Sequence, residues 1–140
     1  MEASEIKDIA KKCELFKTLE DEEFDLLLFY GEMKDFSSGA TIYKTGDTAE
    51  GTFCLILSGS VEALTQTGRN IRKMGPGEII GEIGATSPQN KRTVTIRTLE
   101  PTAMLEWEIK HIGTRWPALL KKLKDQAWKH LAQYYESAKK

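Results

Sequence analysis

The chain is poor in the residues that build disulfide frameworks and metal centres. Its only cysteines, Cys13 and Cys54, lie far apart without a Cys-x-x-Cys spacing, so buried free thiols in a reducing compartment are expected rather than a disulfide or a bound metal. Its only histidines, His111 and His130, fall in the carboxyl-terminal part with no ligand spacing between them, and no serine or cysteine is matched to a nearby histidine that could activate it. No catalytic residue, metal ligand or cofactor is therefore assigned, and an enzyme is not expected. Neither sign of charge is in excess: 20 lysines and arginines face 21 acidic residues, a net charge of -1 that argues against a nucleic-acid surface. The longest apolar stretches, such as Phe53 to Leu57, are strand-sized and too short for a bilayer. The start, Met1-Glu2-Ala3-Ser4-Glu5, has neither the basic nor the apolar region of a signal peptide. A cytoplasmic protein without membrane insertion is expected.

What remains is the material of one folded unit, 140 residues of which 40% are hydrophobic, enough for a single core. Ile6, Ile9, Ala10 and Cys13 recur at helical spacing behind Ser4, a good N-cap residue, which predicts an opening helix. Thr18 with Asp21 resembles a capping box ahead of Phe24, Leu27 and Leu28, which predicts a second helix ending near Gly31. From Met33 to Ile109 the pattern changes to short β-type runs: Thr41 to Tyr43, Phe53 to Leu57, Val61 to Leu64, Ile71 to Met74, Thr93 to Ile96 and Ala103 to Trp107. Glycine-containing turns separate them, and no helix-length crossover does, so an antiparallel sandwich or barrel is expected. After Ile109 the helical period returns, with Trp116, Leu119, Leu120, Leu123, Ala127, Leu131, Tyr134 and Tyr135 on one broad face and Pro117 suited to a first turn. At about 30 Å, a helix from Pro117 to about Ala138 is longer than the roll can cover along one flank, so its distal half is expected to be free to move.

One segment, Gly75 to Val94, is longer and more polar than the other turns. Gly81-Glu82-Ile83-Gly84-Ala85 suits a single tight helical turn whose glycines let the backbone approach a ligand and whose N–H groups serve an anion. Arg92 supplies a planar fork of donors matched to two phosphate oxygens, and Glu82, acceptor-only when ionised, suits a ribose hydroxyl. Such residues together describe a site for a phosphorylated sugar.

These residues resemble the phosphate-binding cassette of the cyclic nucleotide-binding domain family. The pattern of that family is Gly-Glu, an apolar residue and a small residue, then variable positions, Arg and a small residue. Here it reads Gly81, Glu82, Ile83, Gly84, Ala85, the variable Thr86 to Lys91, Arg92 and Thr93. The similarity extends through Leu15-Phe16, Gly46-Asp47, Leu57 to Val61 and Trp116-Pro117. It implies an α+β, mainly β fold: an antiparallel β-roll, jelly-roll-like and also called a double-stranded β-helix, with two N-terminal helices and C-terminal helices. The expected divisions of the single domain, residues 1–140, are a helical lead-in over 1–32, the roll over 33–109 with the cassette at 79–94, and C-terminal helices over 110–140.

By the same resemblance Arg92 and the N–H groups near Gly84 and Ala85 hold a cyclic phosphate, Glu82 the ribose 2′-hydroxyl, and Thr93 the phosphate or base edge. Ile80, Ile83 and Val94 complete the implied lining, and Trp128, Leu131 or Tyr134 would close over the base. Val94 stands where alanine is usual, which implies a narrower pocket. The implied ligand is cAMP, with cGMP and cyclic di-GMP as alternatives. Thr93 does not decide between the bases. The implied role is a sensor whose C-terminal helix moves on binding and regulates a separate effector protein or a fused domain outside this chain. A homodimer through that helix is also compatible with its apolar stripe.

Plainer readings stand beside this one. Glu82 and Arg92 could pair only with each other, Gly81 and Gly84 could be ordinary turn glycines, and Arg69, Arg72 and Lys73 read as a solvated strand face. A degenerate roll serving protein interaction is the main alternative class. A metal-dependent cupin, which shares this kind of roll, would need a ligand cluster that the two histidines do not form. In the binding reading, Arg92→Ala is expected to remove affinity and leave the fold intact.

Overall fold

A computed structural model describes the backbone of residues 1–139 and the side chains of residues 1–133. Helix α1 spans Ala3–Lys12 and α2 spans Asp21–Tyr30. Their caps differ from the sequence expectation. The first helix is capped at Glu2, so Ser4 lies inside its first turn. The second is capped at Glu20, whose N–H donates to the Glu23 carboxylate at 2.9 Å. Thr18 is still in the preceding turn, where the Leu19 N–H donates to the Phe16 carbonyl. Glutamates thus replace the shorter capping residues, and the acidic first turn of Asp21, Glu22 and Glu23 complements the positive end of the helix dipole.

Eight strands follow: β1 Glu32–Phe36, β2 Thr41–Tyr43, β3 Thr52–Ser58, β4 Val61–Leu64, β5 Asn70–Met74, β6 Ile79–Ile80, β7 Thr95–Thr98 and β8 Thr102–Glu108. They form two four-stranded antiparallel sheets, ordered β1-β8-β3-β6 and β2-β7-β4-β5. This is the antiparallel β-roll with flanking helices. Two boundaries depart from the sequence reading. The strand expected over Thr93 to Ile96 begins only at Thr95, because Arg92 is tied to the Gly46-Asp47 turn: its N–H donates to the Asp47 carbonyl at 2.8 Å and its carbonyl accepts from Gly46 at 2.9 Å. Strand β6, pairing Ile80 with Cys54 and Ile79 with Leu55, was too short to read.

Strand β3 explains the continuous apolar run in its sequence. Successive side chains point to opposite faces, and both faces are covered. Phe53, Leu55 and Leu57 join a core with α1, α2 and the later helices that includes Phe16, Phe24, Leu27, Trp107 and Trp116. Cys54 and Ile56 face the interior of the roll with Val61, Ala63, Met74, Ile96 and Met104. The Trp107 indole N–H donates to the buried Leu27 carbonyl at 2.8 Å, joining β8 to α2.

The carboxyl-terminal part is two helices, α4 Ile109–Arg115 and α5 Pro117–Lys139. Pro117, without an N–H, occupies the first position of α5 as its chemistry requires. Leu119 and Leu123 belong to the helical core, whereas Ala127 and half-buried Leu131 pack against the roll interior. The distal half, expected to be free to move, is here docked: α5 leans on the roll at least as far as Leu131. Both cysteines are buried and free. Among the described residues no helix is long and apolar enough to cross a membrane.

Candidate functional site

The segment singled out from sequence folds as a short helix, α3 Glu82–Thr86, entered through Gly81. Gly81 has φ 83°, and a Cβ there would stand 2.8 Å from the Tyr43 hydroxyl and 2.9 Å from an Arg92 nitrogen. Gly84 is held as closely: its Cβ would meet the Lys91 carbonyl at 3.0 Å. These glycines are thus required by a left-handed turn and by close packing, and they press α3 against Arg92.

Glu82 and Arg92 are both buried, at 3% and 5% exposure, yet they do not bond to each other. The structure so disposes of the simple ion-pair reading. Arg92 donates to the carbonyls of Gly81 at 2.9 Å, Ala49 at 2.8 Å and Thr52 at 3.1 Å, and to the Thr52 hydroxyl at 3.1 Å. Its guanidinium lies over the Tyr43 ring, 3.7 Å from the ring centre. Its Nε–H is buried and has no partner. The Glu82 carboxylate meets Nδ1 of His130 on α5. An ionised carboxylate only accepts, so Nδ1 carries the proton in this contact.

Tyr43, Ile80, Gly81 to Gly84, Arg92 to Val94 and Ile96 enclose a cavity of about 20 Å³, room for about one water molecule. Exposed Thr93 and buried Ile83 separate it from a larger cleft of about 430 Å³, whose other walls include Pro88, Ala127, Trp128 and Leu131. Burial pushes the Tyr43 hydroxyl well above its ordinary range, and pushes the neighbouring Cys54 thiol, 3.3 Å away, up to about 12. Both groups are thus neutral beside the Arg92 charge.

The sequence-derived set is therefore assembled in large part. Ile80, Gly81, Glu82, Ile83, Gly84, Arg92, Thr93 and Val94 share one cavity. Ala85 is set apart, and its N–H donates to the Gly81 carbonyl at 3.0 Å within the turn, so it is not free for an anion. Of the cap residues, Leu131 packs against the roll, Trp128 is 73% exposed on the outer cleft, and the Tyr134 side chain lies outside the described residues. Sequence reasoning missed Tyr43, Ala49 and Thr52, which hold Arg92, and set His130 aside. No local spacing signals any of them, since Tyr43, the Ala49–Thr52 turn and His130 lie far from the cassette in sequence.

Comparison with known proteins agrees with this geometry. A curated relative, the cyclic AMP receptor protein of Thermus thermophilus, is 31% identical over 99 residues, 68% of this chain, which spans only 45% of that receptor. A solved cyclic nucleotide-binding domain from Methylobacillus flagellatus superposes with TM-score 0.75 at 25% identity, covering 96% of this chain and 79% of that one. The regulatory subunit of a cAMP-independent protein kinase A from Trypanosoma brucei gives TM-score 0.80 at 17% identity over 97% of this chain and 51% of its own, a likeness of fold. The family model described as cyclic nucleotide-binding domain matches residues 33–113, more than half of the sequence and all of the roll but its first residue. On that match, and on a roll that carries the cassette in place, the chain belongs to the cyclic nucleotide-binding domain family.

Proposed function

We propose that this chain is a binding module, not a catalyst, that takes up a cyclic mononucleotide, cAMP in the first instance, and passes the event on through α5. The observation that carries the reading is the convergence of two buried, mutually unpaired charges, Glu82 and Arg92, on one glycine-lined cavity. Burying a charge is costly unless it is matched, and a spare buried Nε–H on Arg92 is a donor aimed at an acceptor still to come. The cavity is far below the roughly 300 Å³ that small-molecule sites usually offer, so uptake requires opening. The adjoining cleft supplies the space. With Thr93 and Ile83 as the shared wall, phosphate and ribose go to Arg92 and Glu82, and the base goes toward Thr93, Leu131 and Trp128. The choice of cAMP leans on the curated relative, a cyclic AMP receptor. The regulated partner is a separate protein or a domain outside this chain.

A second reading is favoured by one observation. Two of the three Arg92 nitrogens already donate to protein oxygens, as in a roll that holds no nucleotide and serves protein interaction. Calorimetric titration with cAMP, cGMP and cyclic di-GMP decides between them. Saturable one-site binding of cAMP, tighter than the others by about tenfold, is expected. Tenfold preference for cGMP overturns the base assignment, and heat with none of the three favours the interaction module. Glu82→Gln weakens cAMP markedly and its 2′-deoxy analogue much less, a non-additive pair; independent effects would remove Glu82 from the ribose contact.

A further inference from the structure

We propose that His130 is an internal competitor for the carboxylate that reads the ligand, so that α5 is latched to the cassette until a nucleotide hydroxyl displaces it. The inference rests on the nucleotide reading above and specifies how the same site is regulated. Glu82 is 3% exposed, and the His130 side chain, carried on α5, is 16% exposed where the two meet. The two residues are 48 apart in sequence and lie on α3 and α5, so the contact reports the docking of one helix on the other.

The imidazole N–H takes one acceptor position on Oε1, and the cavity beside the carboxylate, about 20 Å³, has no room for a ribose until the packing around Glu82 opens. Attachment of His130 and contact with the sugar therefore compete for Glu82, because the ring holds the carboxylate in the closed arrangement that the ligand must undo. The energies differ in kind as well: a charge-assisted bond inside the protein is formed without ordering a free molecule, whereas the nucleotide must overcome it before gaining its own contact. The displaced ring has somewhere to go. His130 also borders a cleft of about 330 Å³ on its far side, walled by Lys12, Glu14, Arg72, Glu78 and Gln126, in which an imidazole can be hydrated or hydrogen-bonded. The ligand shifts α5 because Glu82 bonds differently in the two states, which is the condition any ligand-driven movement must meet.

The test compares wild type with His130→Ala and His130→Gln in the full chain, with cAMP as the probe. Removal of the competing bond is expected to tighten cAMP binding by about tenfold or more in His130→Ala. His130→Gln, which keeps an uncharged N–H donor and most of the volume, gives a smaller gain and serves where the alanine variant unfolds. Amide exchange read without nucleotide is expected to quicken over residues 127–133 of α5 in both variants. Wild-type binding with equal or weaker affinity in folded variants overturns the latch and leaves the nucleotide reading standing. Unchanged exchange in α5 also overturns it, without reference to any ligand. No binding by wild type or variants overturns the nucleotide reading and the latch with it.

Discussion

Arg92→Ala separates the two roles that meet in one side chain. From sequence the substitution should spare the fold, because the arginine is read as a phosphate contact alone. The structure gives the opposite expectation, since the guanidinium donates to three carbonyls and one hydroxyl from two separate stretches of chain and covers the Tyr43 ring. Each bond from a charged donor contributes about 1.5–3 kcal/mol net, but the four share one side chain and do not add. A firmer figure comes from the acceptors left behind: a buried polar group stripped of its partner costs about 1–3 kcal/mol, so the three carbonyls together cost about 4 kcal/mol. Against a total stability of roughly 5–15 kcal/mol, the loss is a large fraction. Urea denaturation followed by tryptophan fluorescence measures it. With a typical slope of about 1–3 kcal/mol per molar urea, the midpoint falls by about 2 M. A fall equivalent to less than about 1 kcal/mol would refute the reasoning: the carbonyls would then be satisfied by water, and the arginine would be free for a ligand as the sequence suggests. Binding must accordingly be measured on variant that is still folded, well below the shifted midpoint.

Two further outcomes follow from the same neighbourhood. Val94→Ala removes two methyl groups from a half-buried residue lining the small cavity, so stability falls by about 1–2 kcal/mol while cAMP affinity rises; a loss of both in calorimetry and urea titration would show that Val94 shapes the ligand contact itself. Cys54, with its thiol pushed up to about 12, and Cys13, also raised by burial, are almost wholly protonated at pH 8, and only the thiolate attacks. Neither reacts with a disulfide reagent until urea unfolds the chain, and rapid colour on mixing would disprove their burial.

The roll was legible because strands and turns alternate on a length scale that periodicity resolves. The cassette was legible because its chemistry lies within one stretch, from Gly81 to Arg92. Other features depend on contacts that no window of sequence contains. Glu20 and Glu23 cap α2 although Thr18 looks the better candidate, because Leu19 is still committed to the turn behind it. Thr93 and Val94 read as strand, yet the Asp47 carbonyl claims the Arg92 N–H and delays β7 to Thr95. His130 was dismissed for want of a ligand spacing; its partner lies 48 residues away, and only the docking of α5 on α3 reveals it.

The division of α5 between two cores has a mechanical consequence. Leu119 and Leu123 fix its first turns in the helical core, and beyond Leu123 it meets the roll and the cassette through Ala127, His130 and Leu131. That is the arrangement of a lever with its pivot near Leu123. Leu131 lies eight residues along the arm, about 12 Å, and the helix end at Lys139 about 24 Å. A tilt of about 20° thus lifts Leu131 by about 4 Å, enough to break side-chain contact, and carries the far end about 8 Å. In the proposed release the arm would double the stroke, from about 4 Å at Leu131 to about 8 Å at the helix end.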